Sequence, residues 1–136
     1  MLAFLDTNIL VYCTDARAPA KRERARTLVS SLSAQGEAVV STQVLIGLFH
    51  TLTRKQSVPG VTAQALVLAC TAWPVIDSDL TLVSAALESA ITWQLSIWDA
   101  MVVEAALRAQ ANTLCSEDFS HGQRFGTLTV VNPVLA

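Results

Sequence analysis

Three aspartates stand where chemistry could be shared. Asp6 closes the apolar run Met1-Leu-Ala-Phe-Leu, Asp99 follows Ser96-Ile-Trp, and Asp118 follows Thr113-Leu-Cys-Ser-Glu. Carboxylates packed together repel one another, so such a group must take up protons or hold a cation. Oxygen donors with few histidines suit Mg²⁺ or Mn²⁺ rather than zinc. Ions of that kind stabilise charge on a phosphoryl group and activate water for in-line attack on a phosphodiester. The two histidines, His50 and His121, are poorly placed for a general base and read as surface or loop packing. Asp15, Asp77 and Asp79 fall in loops or at helix caps, where a turn or capping role is enough. Cys13, Cys70 and Cys115 are scattered through apolar surroundings, which argues against a disulfide framework or zinc site and for reduced core thiols.

The elements that must carry these acids alternate between short apolar strands and longer helices. Leu2 to Asp6 reads as a buried strand, followed by a polar turn at Thr7-Asn8. Pro19 opens a helix whose Ala25, Leu28, Val29 and Leu32 keep one face, and Gly36 ends it. Ala38-Val-Val40 is a strand, and Ser41 or Thr42 caps a helix from Gln43 toward Lys55. After the break at Val58-Pro-Gly60, Thr62 is a cap for a helix through about Ala72. Val75-Ile76 is a brief strand. Ser78 or Asp79 starts a helix through about Trp93, and Ser96 starts another through Gln110. Thr113 to Cys115 and Leu128 to Val131 complete the strands.

This alternation predicts an α/β fold with a mostly parallel sheet and helices on both faces. Sites in such sheets form at the carboxyl ends of the strands. Asp6 and Asp118 each follow a strand and Asp99 lies in the first turn of a helix, so all three can share one sheet edge.

At 136 residues the chain is expected to be a single domain, 1–136. Apolar residues make up 52% and charged residues 15%, which excludes disorder. No apolar run reaches the roughly 18 to 20 residues of a membrane span. The N-terminus lacks the basic region of a secretory signal, so a cytoplasmic protein with no membrane partner is expected. Net charge is −2, yet five of the nine Lys and Arg residues fall between Arg17 and Arg26. That stretch reads either as a solvated helix face or as a phosphate-contacting patch that includes Arg22, Arg24 and Arg26. With Arg54 and Lys55 it could form a track for a nucleic-acid backbone, although nothing in it reads bases.

Four segments resemble the PIN-domain family in order and rough spacing: Phe4-Leu-Asp-Thr-Asn-Ile-Leu10, Ser41-Thr-Gln-Val-Leu45, Ser96-Ile-Trp-Asp-Ala100 and Leu114-Cys-Ser-Glu-Asp118. The resemblance covers essentially the whole chain. The tail from Gly122 to Pro133 is similar to a bacterial branch that includes VapC-type toxins. It implies an α/β/α sandwich and a Mg²⁺- or Mn²⁺-dependent ribonuclease, often a homodimer and often the toxin of a toxin–antitoxin pair. Asp6, Asp99 and Asp118 would be the metal-site acids. Thr7 and Asn8 would support Asp6 by hydrogen bonding, and Ser116 would line the site. Glu117 could replace Asp118, but alternation along an extended segment points it elsewhere. The partners implied are an RNA substrate and an antitoxin, whose arginine could pair with the carboxylates.

One position departs from the pattern. The family places a glutamate two residues after the leucine of the second segment, where this chain has Gly47. Glycine within a helix also costs about 1 kcal/mol relative to alanine. Three accounts stay open: an engineered substitution that silences a nuclease, a natural loss, or a rearrangement in which another acid such as Glu117 takes over.

Other classes fit less well. A phosphatase using Asp6 as nucleophile would want a second aspartate where Asn8 stands. A receiver domain would want acids before Asp6 and a lysine on the last strand. An inactive PIN-like module that binds RNA or a protein partner is the main competitor, supported by Gly47 and by apolar content. Trp73 and Trp93 are expected in the core or at an interface, and Trp98 is expected to pack so as to orient Asp99.

Overall fold

The computed structural model describes residues 1–135. Its elements run β1 (Ala3–Leu5), α1 (Thr7–Tyr12), α2 (Pro19–Ala34), β2 (Ala38–Ser41), α3 (Thr42–Arg54), α4 (Gly60–Ala69), a 3₁₀ turn (Cys70–Ala72), β3 (Val75–Ile76), α5 (Leu80–Thr92), α6 (Ile97–Arg108), β4 (Thr113–Cys115), β5 (Arg124–Phe125) and β6 (Leu128–Val131). One six-stranded sheet has the order β3-β2-β1-β4-β6-β5. All its pairings are parallel except β5 with β6. The α/β expectation of a mostly parallel sheet flanked by helices is met.

The order follows from burial. Every residue of β1 and β2 is buried, as a strand covered on both faces requires. Crossovers from β1 to β2 and from β2 to β3 each bring the chain to the adjacent parallel strand. The third, through α5 and α6, carries it past β2 and β1 to lay β4 on the other side of β1, and the core fills the space between sheet and helices. Phe4, Leu5, Ile9, Val39, Val40, Val103 and Leu114 are almost wholly shielded from solvent. Among the described residues no single helix is long and apolar enough to cross a membrane.

Local chemistry sets the helix starts. The Ser41, Asp79 and Ser96 side chains accept hydrogen bonds from the backbone N–H groups of Val44, Leu82 and Asp99, capping α3, α5 and α6. Gly36, at φ 68°, turns the chain from α2 into β2, as its position in the sequence predicts.

Two local expectations are corrected. Thr7-Asn8 is not a turn but the first turn of α1, because Asp6 caps it through Thr7 N–H. Thr62 does not cap α4, which begins at Gly60 behind Pro59, whose fixed φ suits a helix start. The sequence reading also missed β5, a two-residue strand that turns back through Gly126 (φ 62°) and pairs Phe125 with Leu128. So short a strand shows no alternation of its own.

Candidate active site at the carboxyl end of the sheet

Asp6 sits where β1 gives way to α1, and only 5% of it is exposed. Leu5 pairs with Cys115 on β4, so the next residues, Asp6 and Ser116, emerge side by side. Asp6 N–H donates to the Cys115 carbonyl at 3.0 Å, which locks the two chain segments together. The carboxylate then takes two hydrogen bonds: Thr7 N–H to Oδ1 at 2.7 Å, and Ser116 Oγ–H to Oδ2 at 2.7 Å.

Ser116 is the hub of a small network. Its Oγ also accepts from Asn8 Nδ2 at 3.3 Å and from Asp118 N–H at 3.1 Å. Asn8 Oδ1 in turn accepts from Glu117 N–H. Asn8 therefore supports Asp6 through Ser116, and Thr7 supports it through the main chain. The Thr7 hydroxyl points elsewhere and donates to the Val44 carbonyl of α3 at 3.2 Å.

Burial dominates the electrostatics of Asp6 and pushes its carboxyl up from 3.8 to about 6, with repulsion from Asp118 and Asp99 adding to the rise against the two hydrogen bonds. Asp99 is half-buried in the first turn of α6 and is also shifted upward, first by burial and then by Asp118. The three acids, remote in sequence, thus act on one another electrostatically. Asp118 itself is exposed. Among the described residues no Lys or Arg forms an ion pair with any of the three.

A family model for the PIN domain matches residues 3–123. The chain belongs to the PIN-domain family. Solved structures similar to this PIN domain include a toxin and toxin–antitoxin complexes. VapC20 of Mycobacterium tuberculosis, a toxin that cleaves the sarcin-ricin loop, is 20% identical with a TM-score of 0.65, over 85% of this chain and 91% of that one. A toxin–antitoxin complex from Klebsiella pneumoniae is 17% identical with a TM-score of 0.71, over 96% and 97%. VapBC2 from Rickettsia felis, bound to a promoter DNA fragment, is 18% identical with a TM-score of 0.68, over 96% and 97%. At these identities the likeness is one of fold. No curated protein matches this sequence.

Within this PIN domain the donor chemistry fits a hard divalent cation: carboxylate, hydroxyl and amide oxygens, with no thiolate or imidazole among them. The geometry is open. Among the described residues, no three acidic, histidine or cysteine side chains come together closely enough to form a finished metal cluster.

Gly47 lies against this site. A Cβ built there would stand 2.9 Å from Thr7 Oγ1 and 3.4 Å from Thr7 Cγ2. The Thr7 side chain therefore occupies the space that any larger residue at position 47 would need.

Of the other residues singled out, Trp98 alone departs from its expected place. The Glu117 carboxylate accepts from Tyr12 Oη at 2.8 Å and lies 3.6 Å from Lys21 Nζ, held toward α1 and α2 rather than grouped with Asp6. Trp98 does not pack to orient Asp99: it is 67% exposed because it projects from the outer side of α6, and its carbonyl accepts from Gln43. Trp73 Nε1 donates to Ser33, and the Trp93 ring meets Phe125 edge-on at 5.0 Å. Asp79 caps α5, and Asp15 binds Arg17. His50 is exposed, and His121 Nδ1 accepts from Asn132 N–H in a loop. The three cysteines are free thiols, and burial pushes Cys13 up to about 11 and Cys115 up to about 12.

The α2 arginines do not gather at the acids. Arg26 Nε donates to the Cys13 carbonyl at 2.7 Å, Arg22 Nε is buried without a hydrogen-bond partner among the described residues, and Arg24 lines a separate groove with Pro133. The cavity beside Asp118 is lined instead by Arg17 and Lys55. Of the track suggested by the sequence, Arg17 and Lys55 share this cavity, whereas Arg22, Arg24 and Arg26 do not line it.

Proposed function

We propose that this chain is a divalent-metal-dependent endoribonuclease of the toxin type, with Asp6, Asp99 and Asp118 as its metal-site acids. Asp6 carries the reading: a buried carboxylate with no cationic partner among the described residues, on which two further carboxylates press. A site that costs this much to charge suits a cation that offsets the repulsion. Membership of a nuclease family supports the same chemistry. The toxin–antitoxin neighbours support an antitoxin partner that would cover the acids.

Asp6 and Asp99 would hold a Mg²⁺ or Mn²⁺ ion, with Asp118 on the exposed side, and the ion would supply charge stabilisation at the scissile phosphate and an activated water. Ser116 and Thr7 N–H keep Asp6 oriented. Asn8 and Ser116 tie the Asp118 loop to α1. Gly47 leaves the site one acid short of the family's pattern, so activity is expected to be low.

The test is calorimetric titration of Mn²⁺ into the chain, Asp6→Asn and Gly47→Glu, followed by RNA cleavage. The expected order of affinity is Gly47→Glu, then the chain, with Asp6→Asn failing to bind. A misplaced water costs on the order of a hundredfold in rate, so Gly47→Glu should cleave faster by about that factor. Absence of metal binding by every variant would favour the second reading, a PIN-like module that binds RNA or protein without catalysis. The open geometry of the acids favours that reading.

A further inference from the structure

A cavity of about 340 Å³ opens beside the acids, with Thr7, Asn8 and Asp118 at one end and Arg17 and Lys55 among its other lining residues. A second, of about 250 Å³, extends toward Thr14 and Val58. Asp15, Arg17, Lys55 and Gln56 line both, so the two form one groove with its cations at the junction.

The geometry points to Lys55 and Arg17 as the holders of a backbone phosphate of single-stranded RNA, one or more nucleotides from the position cut at the carboxylates. This rests on the ribonuclease reading above and names the substrate-binding part of the same site.

Charge supports it first. The carboxylate end of the groove repels a polyanion, so affinity must come from further along. Lys55 makes no ion pair among the described residues, whereas Arg17, Lys21 and Arg108 are each matched to an acid. It stands at the C-cap of α3, where the helix dipole favours a cation without engaging its ammonium protons. A lysine in that state meets phosphate as a point charge.

Arg17 is held differently. Its Nε donates to Asp15 Oδ1 at 3.0 Å and one terminal nitrogen donates to Oδ2 at 3.4 Å. That leaves Nη1 uncommitted among the described residues, on a side chain that stays 74% exposed.

The wall between the two ends is held by side-chain hydrogen bonds. Gln56 Oε1 accepts from Thr14 Oγ1 at 2.8 Å and its Nε2 donates to the Val11 carbonyl at 3.2 Å. Tyr12 is tied to Glu117 and Lys21. A groove ordered before binding loses little entropy when a strand enters. Its volume is far too small for a duplex.

The experiment is fluorescence anisotropy with 2′-O-methyl hexauridylate, which resists cleavage, in millimolar Mg²⁺ across a range of salt. Lys55→Gln should weaken binding about fivefold to tenfold and lower the slope of log affinity against log salt by about one. Lys55→Arg should keep most of both. Arg124→Gln, on the edge strand β5 and outside the groove, should stay within about twofold of the parent. Equal losses in Lys55→Gln and Arg124→Gln would overturn the subsite, since diffuse charge would then explain binding. An unchanged affinity and slope in Lys55→Gln would overturn it too, leaving the ribonuclease reading intact. If the parent chain binds no oligonucleotide, subsite and ribonuclease reading fall together.

Discussion

Ser116 donates its hydroxyl proton to Asp6 Oδ2 at 2.7 Å across 110 positions of sequence, while the same oxygen accepts from Asn8 and from Asp118 N–H. One buried hydroxyl therefore sets the direction of a carboxylate and anchors the loop that carries another. Removing it affects both.

Ser116→Ala should cost about 1.5 to 3 kcal/mol at neutral pH, as loss of a hydrogen bond to a buried charge does. The Asp6 carboxyl should also move further above its present position of about 6. Below that pH the carboxyl is protonated and the loss should shrink. Urea denaturation at both pH values checks it; equal losses at each would show that the hydroxyl does not act through the charged form of Asp6.

The pH dependence of folding carries a sign. Because the folded Asp6 carboxyl is raised from 3.8 to about 6, the unfolded chain releases its proton first. Its contribution to stability is therefore greatest below the lower value and falls as pH rises through this window, by on the order of 3 kcal/mol. Asp15 and Asp79 are shifted downward, chiefly by the Arg17 side chain and by the Leu82 N–H respectively, and oppose this trend in parent and variant alike. In metal-free buffer, the difference between the parent and Asp6→Asn should isolate Asp6. Identical pH profiles for the two would contradict its raised position.

Gly47 and Thr7 should be energetically coupled. Gly47→Ala alone gains about 1 kcal/mol of helix propensity but forces Thr7 away from the Val44 carbonyl, so it should destabilise. With Thr7→Ala in place the same change should stabilise by about 1 kcal/mol. A double-mutant cycle measures the coupling, expected at roughly 1 kcal/mol or more. Additive effects would mean that the two residues do not compete for space. By the same contact, Gly47→Glu should bind Mn²⁺ better when combined with Thr7→Ala than alone.

The thiols should be inert in the folded protein. Burial raises Cys13, Cys70 and Cys115, so almost none is thiolate at neutral pH. Iodoacetamide should leave the native chain unmodified while labelling the denatured chain at all three. Fast labelling of native Cys115 would show that β4 opens readily.

How much of this was legible in the sequence follows from the range of each interaction. The caps were readable, Ser96 outright and Ser41 and Asp79 each as one of two adjacent candidates, because a cap acts over three residues. β1, β2 and α2 were readable because apolar runs, a proline start and a glycine stop are local signals. Trp98 was misread because helical periodicity cannot say which side of α6 meets the sheet. β5 was missed because two residues have no period.

The candidate acids divide in the same way. Sequence alone determined that Asp6, Asp99 and Asp118 stand at strand ends or a helix start, since those positions are set by neighbours along the chain. It also marked Gly47 as a departure from a family pattern. Only the tertiary structure decided that Ser116 grips Asp6, that Thr7 fills the space beside Gly47, that Glu117 turns to Tyr12 and Lys21, and that Lys55 shares a groove with Arg17. Each of those depends on the register between β1 and β4 or on the packing of α1 against α3, and these long-range pairings leave no trace in the spacing of residues along one segment.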